Sequence, residues 1–187
     1  MKNKHYAVVT GASSGIGREI SIKLAERGFN IIAVARRDSL LNELKVELGK
    51  INEGIEVVTK SCDLSIIDDA ISLYEELKVF DIRVWVNNAG VGYYGKAFSQ
   101  PIKDTKALLN LNINTLAILS LMFVRDNQNI DGSQLINVSS AGGYTIVPTA
   151  VTYCGSKFFV SSFTEGVAHE LLNLNAKIKV NLVLSVN

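Results

Sequence analysis

At 187 residues, 48% hydrophobic and 20% charged, the chain has the size and composition of one globular domain able to bury a full core, and residues 1–187 are read as a single unit. Its 19 basic and 18 acidic residues leave a formal charge of +1, which offers no electrostatic footprint for nucleic acid or an anionic membrane. The apolar stretches read as too short or too interrupted to span a bilayer, and MKNKHYAVVT runs straight into a strand pattern without a signal-peptide profile, so a cytoplasmic location is expected.

Short β-branched runs alternate with longer helical patterns along the whole chain, which is the signature of a parallel α/β sheet. Strands are predicted over 6–10, 30–35, 56–61, 84–87, 134–139 and 179–186. Their continuous hydrophobicity, as in NIIAVA and KVNLVLSV, suits strands covered by helices on both faces. The first helix runs from Arg18 to a C-terminal glycine, Gly28; Asp38 or Ser39 is placed to cap the second, ahead of LLNELKVEL. A third helix is expected over 66–77, and two long ones follow over 102–125 and 149–174.

Directly after the first strand comes Thr10-Gly11-Ala12-Ser13-Ser14-Gly15-Ile16-Gly17, with a helical pattern beginning at the last glycine. In that context Gly11 permits a tight turn, Gly15 lets backbone approach a pyrophosphate and Gly17 lets helix and strand pack closely, so that phosphates meet the positive end of a helix. Dinucleotide-binding folds usually place an acid at the end of the second strand to hold the ribose of NAD. Here Ala35 takes that place, followed by Arg36 and Arg37, whose guanidinium groups suit the 2′-phosphate of NADP. NADP is therefore expected ahead of NAD, although Asp38 is near enough in sequence to keep NAD open.

Tyr153 and Lys157 form a Tyr-x-x-x-Lys pair near the start of the last predicted helix, on one helical face. Reducing a carbonyl with hydride creates an alkoxide that needs a proton. A free phenol with a pKa of about 10 is too weak an acid to give one readily near neutrality, and a neighbouring ammonium stabilises the phenolate. Cys62 and Cys154 have no cysteine or histidine partner at metal-ligand spacing and read as free buried thiols, while His5 and His169 read as surface or helix residues. No metal site is expected.

The TGxxxGxG spacing at 10–17, Asn87-Asn88-Ala89-Gly90 and the Tyr153/Lys157 pair together resemble the short-chain dehydrogenase/reductase family from about Tyr6 to Val183. The resemblance implies a doubly wound Rossmann-type sheet and an oxidoreductase acting between a nicotinamide and a carbonyl or secondary alcohol. It implies that Gly11, Ser13, Ser14, Gly15, Ile16, Gly17, Arg36 and Arg37 surround the cofactor. Asp63 and Leu64 follow at the end of the third strand, Asp63 contacting the adenine amino group, although alone it reads equally as a helix cap. Asn88, Ala89 and Gly90 border the ribose. By the same resemblance Tyr153 is proton donor, Lys157 also binds the nicotinamide ribose, and Ser140, with Ser139 the adjacent alternative, bonds the substrate oxygen. Asn112 holds a water in the proton relay, with Asn110 and Asn114 as competitors. It further implies a homodimer or homotetramer formed through the two long helices.

The family also carries, after the sixth strand, a Pro-Gly turn, a substrate-binding segment and a seventh strand, whereas this sequence stops at Leu184-Ser185-Val186-Asn187. Two accounts stay open: a shortened piece of a longer enzyme, in which catalysis is impaired and dinucleotide binding remains, or a minimal variant that completes its sheet by oligomerisation. Unless another chain or helix covers it, the sixth strand is expected as an exposed apolar edge. Selection of substrate is expected to involve the loop 91–100, where Gly92-Tyr93-Tyr94-Gly95 offers aromatic contacts.

Overall fold

The computed structural model describes residues 5–185. Six parallel strands form one sheet in the order β3-β2-β1-β4-β5-β6: β1 Tyr6–Thr10, β2 Asn30–Ala35, β3 Val57–Ser61, β4 Ile82–Asn87, β5 Gln134–Ser140 and β6 Lys179–Ser185. The helices are α1 Gly15–Glu26, α2 Asp38–Ile51, α3 Ile67–Leu77, α4 Ile102–Leu109, α5 Leu116–Asn127 and α6 Val151–Asn173. The sheet is thus the doubly wound Rossmann type expected. Its strand order reverses between β1 and β4, and the crevice at such a switch point is where these folds bind ligands.

Two apolar layers sandwich the sheet. On one face Ala7, Val9, Ile31 and Ala33 pack beneath Leu24 of α1 and Leu41, Leu44 and Leu48 of α2. On the other, Val8, Ile32, Trp85 and Leu135 pack beneath Leu73 and Leu77 of α3, Leu119 and Phe123 of α5, and Leu171 of α6. All six residues of β2 are buried, as its unbroken apolar run requires. The run in β6 behaves differently: the strand pairs only with β5, and Val183 and Leu184 remain exposed. An edge position is set by pairing partners, not by composition, so both-face coverage does not extend to β6; predicted Val186 lies outside the described residues.

Strand β4 starts at Ile82, two residues earlier than its apolar core suggests, because Ile82 pairs with Tyr6 across a register shift. Helix α1 starts at Gly15, not Gly17. Neither Asp38 nor Ser39 caps α2: Arg37 is the N-cap residue, and Asp38 is already helical. The long helix predicted over 102–125 is continuous to Asn127 but contains a π-helical segment, Asn110–Thr115, between α4 and α5. That length corrects one expectation, since the most apolar 18-residue window of Ile102–Asn127 has a mean hydropathy of 1.8, and the helix is long and apolar enough to cross a membrane. Close to half of its most apolar stretch, 44%, is buried in the protein, because this helix covers the middle of the sheet.

Candidate active site

The turn between β1 and α1 and the segment after β4 meet at the switch point. Thr10 Oγ1 donates to the Val86 carbonyl at 3.1 Å and accepts from the backbone N–H groups of Asn88 and Ala89, at 2.9 and 3.0 Å. Asn88 Nδ2 returns a bond to the Thr10 carbonyl at 2.9 Å. Gly17 lies under this junction, where a Cβ would collide with the Gly11 carbonyl and the Asn88 amide. Close approach is thus its role, although it packs against the turn and Asn88 and not against the strand itself. Gly15 has φ +55°, a left-handed conformation suited to glycine, and open space above it.

An open cleft of about 410 Å³ follows. Its walls include Gly11, Ser13, Ser14, Gly15 and Ile16 of the turn, Arg36 and Arg37 after β2, Asp63 and Leu64 after β3, and Asn88, Ala89 and Gly90 after β4. The sequence-predicted cofactor residues therefore converge from four loops, with Gly17 beneath the floor. Ala35, Cys62, Val91 and Leu111 also line the cleft and had not been foreseen. Cys62 is half-buried, not buried, and burial with Asp69 and Asp63 nearby pushes its thiol pKa up.

Arg37 donates from one guanidinium nitrogen to Ser13 Oγ at 2.9 Å and Ser14 Oγ at 2.7 Å. Ser14 precedes α1 yet makes no side-chain cap bond to it, so the first-turn N–H groups keep their capacity for an anion. Asp63 is not a helix cap: its Oδ1 accepts from Ser65 N–H and Ser65 Oγ, at 3.0 and 2.8 Å, in a turn ahead of α3. A dinucleotide fits this set: an uncapped helix start with room over Gly15 for phosphates, and a guanidinium in the cleft wall beside the turn.

Beyond Gly90 stand the side chains with reactive chemistry. Lys157 on α6 is only 6% exposed, and its Nζ donates to the Val138 carbonyl at 2.8 Å. Burial alone brings its pKa down from 10.5 to about 8. Nζ lies 5.8 Å from the centroid of the Tyr153 ring, one helical turn away. A Cβ on Gly90 would lie 3.3 Å from Asn112 Oδ1 and 3.7 Å from Lys157 Nζ, so the bare glycine opens the cleft towards both.

The two serines separate cleanly. Ser139 is fully buried, its hydroxyl bonded to the Lys157 carbonyl at 3.1 Å and to Ser161 Oγ at 3.0 Å. Ser140 is half-buried and its Oγ accepts only the Gly142 N–H, at 3.2 Å. A Cβ on Gly142 would sit 3.5 Å from Tyr153 Cε1 and 3.7 Å from Ser140 Oγ, so the phenol and the hydroxyl flank one glycine. Ser140 is accordingly the serine with an oxygen to offer a substrate.

Asn112 lies in the π-helical segment and is 1% exposed. Its amide is held on both sides: Oδ1 accepts from Val91 N–H at 3.0 Å, and Nδ2 donates to the Val91 carbonyl at 2.9 Å and Ser156 Oγ at 3.0 Å. The side chain therefore braces the loop after β4. Its competitors point elsewhere, Asn110 to the Ser65 carbonyl and Asn114 to Asn110. The first asparagine of the 87–90 motif braces the sheet through partners that its sequence does not name: Asn87 Nδ2 donates to Asn137 Oδ1 and Ser120 Oγ, both at 3.0 Å, and Asn137 Nδ2 to Thr164 Oγ1, also at 3.0 Å. It locks β4 and β5 to α5 and α6, the elements that carry the site. Read along the sequence, those asparagines and hydroxyls look like scattered polar residues.

The family model for short chain dehydrogenase matches residues 5–185. This chain belongs to the short-chain dehydrogenase/reductase family. Among its relatives is the very-long-chain 3-oxoacyl-CoA reductase of Mycosarcoma maydis, 28% identical over 184 residues, an alignment covering 94% of this chain and 51% of that protein. The protein of the same name from Coccidioides immitis is 35% identical over 187 residues, covering 96% and 52%. This family member thus spans about half the length of those relatives. Among solved structures, a metagenomic short-chain oxidoreductase in complex with NADP superposes with a TM-score of 0.89 at 30% identity, over 97% of this chain and 82% of that one.

Proposed function

We propose that this short-chain dehydrogenase/reductase binds NADP and interconverts a ketone or aldehyde with its alcohol. The observation that carries the reading is that the Tyr153 ring and the Ser140 hydroxyl share Gly142 as neighbour, with the buried Lys157 ammonium one turn along α6 and close to Gly90 in the cleft wall. When bound, a reduced nicotinamide would supply hydride to the carbonyl carbon. The Ser140 hydroxyl, whose oxygen already accepts the Gly142 N–H, has its proton available to hold the carbonyl oxygen. Tyr153 delivers its phenolic proton to that oxygen as the C–O bond becomes an alkoxide, and in the reverse direction the phenolate takes the proton back. Lys157 sets a positive charge beside the group that becomes negative, in a place with little water to screen it.

The NADP preference rests on Arg37 and Arg36 beside the cleft and on Ala35 where an acid would repel a phosphate. The long helices leave Leu109, Leu121, Phe158 and Leu172 exposed, which supports assembly as a dimer or tetramer; light scattering at micromolar concentration showing only monomer would remove that part of the reading.

Replacing Tyr153 with Phe tests the chemistry. Turnover of any accepted carbonyl is expected to fall by roughly 10²-fold or more, while NADPH affinity, followed by nicotinamide fluorescence, stays nearly unchanged. Equal turnover in variant and parent would remove Tyr153 from the mechanism, and NADPH binding with no turnover in either would leave a dinucleotide-binding protein.

A further inference from the structure

Two loops grip the Tyr153 ring from opposite edges. The loop after β4, residues 91–100, reaches it through Gly92, where a Cβ would lie 3.3 Å from ring Cδ2. The loop after β5, residues 141–150, reaches it through Gly142, at 3.5 Å from Cε1. Gly95 N–H donates to the Thr149 carbonyl at 2.7 Å, so the loops are tied to each other, and Thr152 Oγ1 donates to Gln100 Oε1 at 3.1 Å, which ties the first loop to α6. The two segments form rims on either side of the reacting hydroxyl.

Their composition sets them apart. VGYYGKAFSQ and AGGYTIVPTA hold one charged residue, Lys96, whereas 20% of the whole chain is charged. Neither rim has an aspartate or glutamate to pair an ammonium on a substrate, nor an arginine to clamp a carboxylate or phosphate, and the Lys96 ammonium lies over the Phe98 ring, 5.9 Å from its centroid. Large apolar side chains stand out into solvent on both: Tyr94 is 78% exposed, Phe98 88% and Ile146 74%, with Val147 beside Ile146 at 39%. Exposed apolar groups gathered in this way mark a binding surface, and they stand on the two loops whose Gly92 and Gly142 flank the ring of Tyr153. Tyr144 is excluded from it by its bond to Glu165 on α6, at 2.7 Å.

We propose that the site takes a ketone or secondary alcohol carrying a large, uncharged apolar body, which lies between Tyr94 and Phe98 on one rim and Ile146 and Val147 on the other, and that small or anionic carbonyl compounds are poor substrates. The inference rests on the oxidoreductase reading above and adds the substrate class to it.

The test compares acetone, pyruvate and a series of methyl ketones up to methyl nonyl ketone, with NADPH and the 187-residue chain. The specificity constant kcat/KM is expected to rise roughly threefold per added methylene over the first several, with pyruvate below acetone. The double variant Phe98→Ser, Ile146→Ser flattens that dependence on chain length. Equal constants along the series, or a preference for pyruvate, overturn the substrate class and leave the oxidoreductase reading standing. If no ketone is turned over, that reading fails by itself, and calorimetry of the long secondary alcohol from methyl nonyl ketone on the NADP-saturated protein decides the apolar site: binding that the double variant weakens at least roughly tenfold supports it, and no binding overturns it. Self-association of the parent chain that the double variant abolishes, without effect on ketone preference, assigns the rims to a protein interface and also overturns the proposal.

Discussion

The ammonium of Lys157 on α6 donates to the carbonyl of Val138 on β5 across 2.8 Å, inside a layer where only 6% of the lysine is exposed. Burial lowers its pKa from 10.5 to about 8, so below pH 8 the folded protein carries a charge that costs stability. Between about 8 and 10.5 the unfolded chain binds the extra proton, and stability rises with pH across that window. Replacing Lys157 with Met should therefore stabilise the protein at pH 7 by about 2 kcal/mol, after the lost hydrogen bond is set against the relieved burial of charge. The advantage should vanish by pH 10.5, a value set by the unfolded lysine. Urea unfolding of parent and variant at both pH values checks this, and a pH-independent difference would show that burial of charge is not its cause.

Neighbouring serines should fail in different ways. Ser139→Ala removes a buried hydroxyl that bonds the Lys157 carbonyl and Ser161 Oγ and is expected to cost about 1–2 kcal/mol of stability. Ser140→Ala removes a hydroxyl bonded only to Gly142; it should leave the melting temperature unchanged and lower kcat by roughly 10²-fold. Thermal melts and steady-state rates on both variants separate the roles, and the opposite pattern would reverse the assignment.

Arg37→Ala should distinguish the cofactors. The guanidinium that bonds Ser13 and Ser14 is also the cation nearest the turn, so its removal is expected to weaken NADPH binding by roughly tenfold or more and NADH binding far less. Equal losses for the two would mean that Arg37 orders the turn and does not read the 2′-phosphate.

Gly17→Ala tests the packing of the turn. The new methyl group would meet the Gly11 carbonyl and the Asn88 amide, and the carbonyl cannot step aside without moving the turn, so a loss of about 3 kcal/mol is expected. Gly15→Ala meets no neighbouring atom but must hold φ +55°, so a loss of about 1 kcal/mol is expected. Denaturant melts of the pair check the ranking.

Much of the architecture was legible along the chain, because the runs AVVT and NIIAVA and the helical stretches between them impose their periods locally. The glycine turn, Arg36 and Arg37, Asn88 to Gly90 and the Tyr153/Lys157 pair were legible for the same reason: each is a short motif whose spacing carries its geometry. What each partner would do was not. Asn112 is a lone polar residue in an apolar helix until the fold lays Val91 and Ser156 against its amide. Asp63 reads as a cap until Ser65 takes its carboxylate.

The sequence by itself thus determined the alternation of strands and helices, the family and the residue types at the site. Tertiary structure alone decided what holds the Ser139 hydroxyl and which arginine bonds the turn. Local propensity and spacing act over a few residues, whereas a hydroxyl or a guanidinium takes its role from groups that arrive from elsewhere in the chain: Lys157 and Ser161 for Ser139, and Ser13 and Ser14 for Arg37.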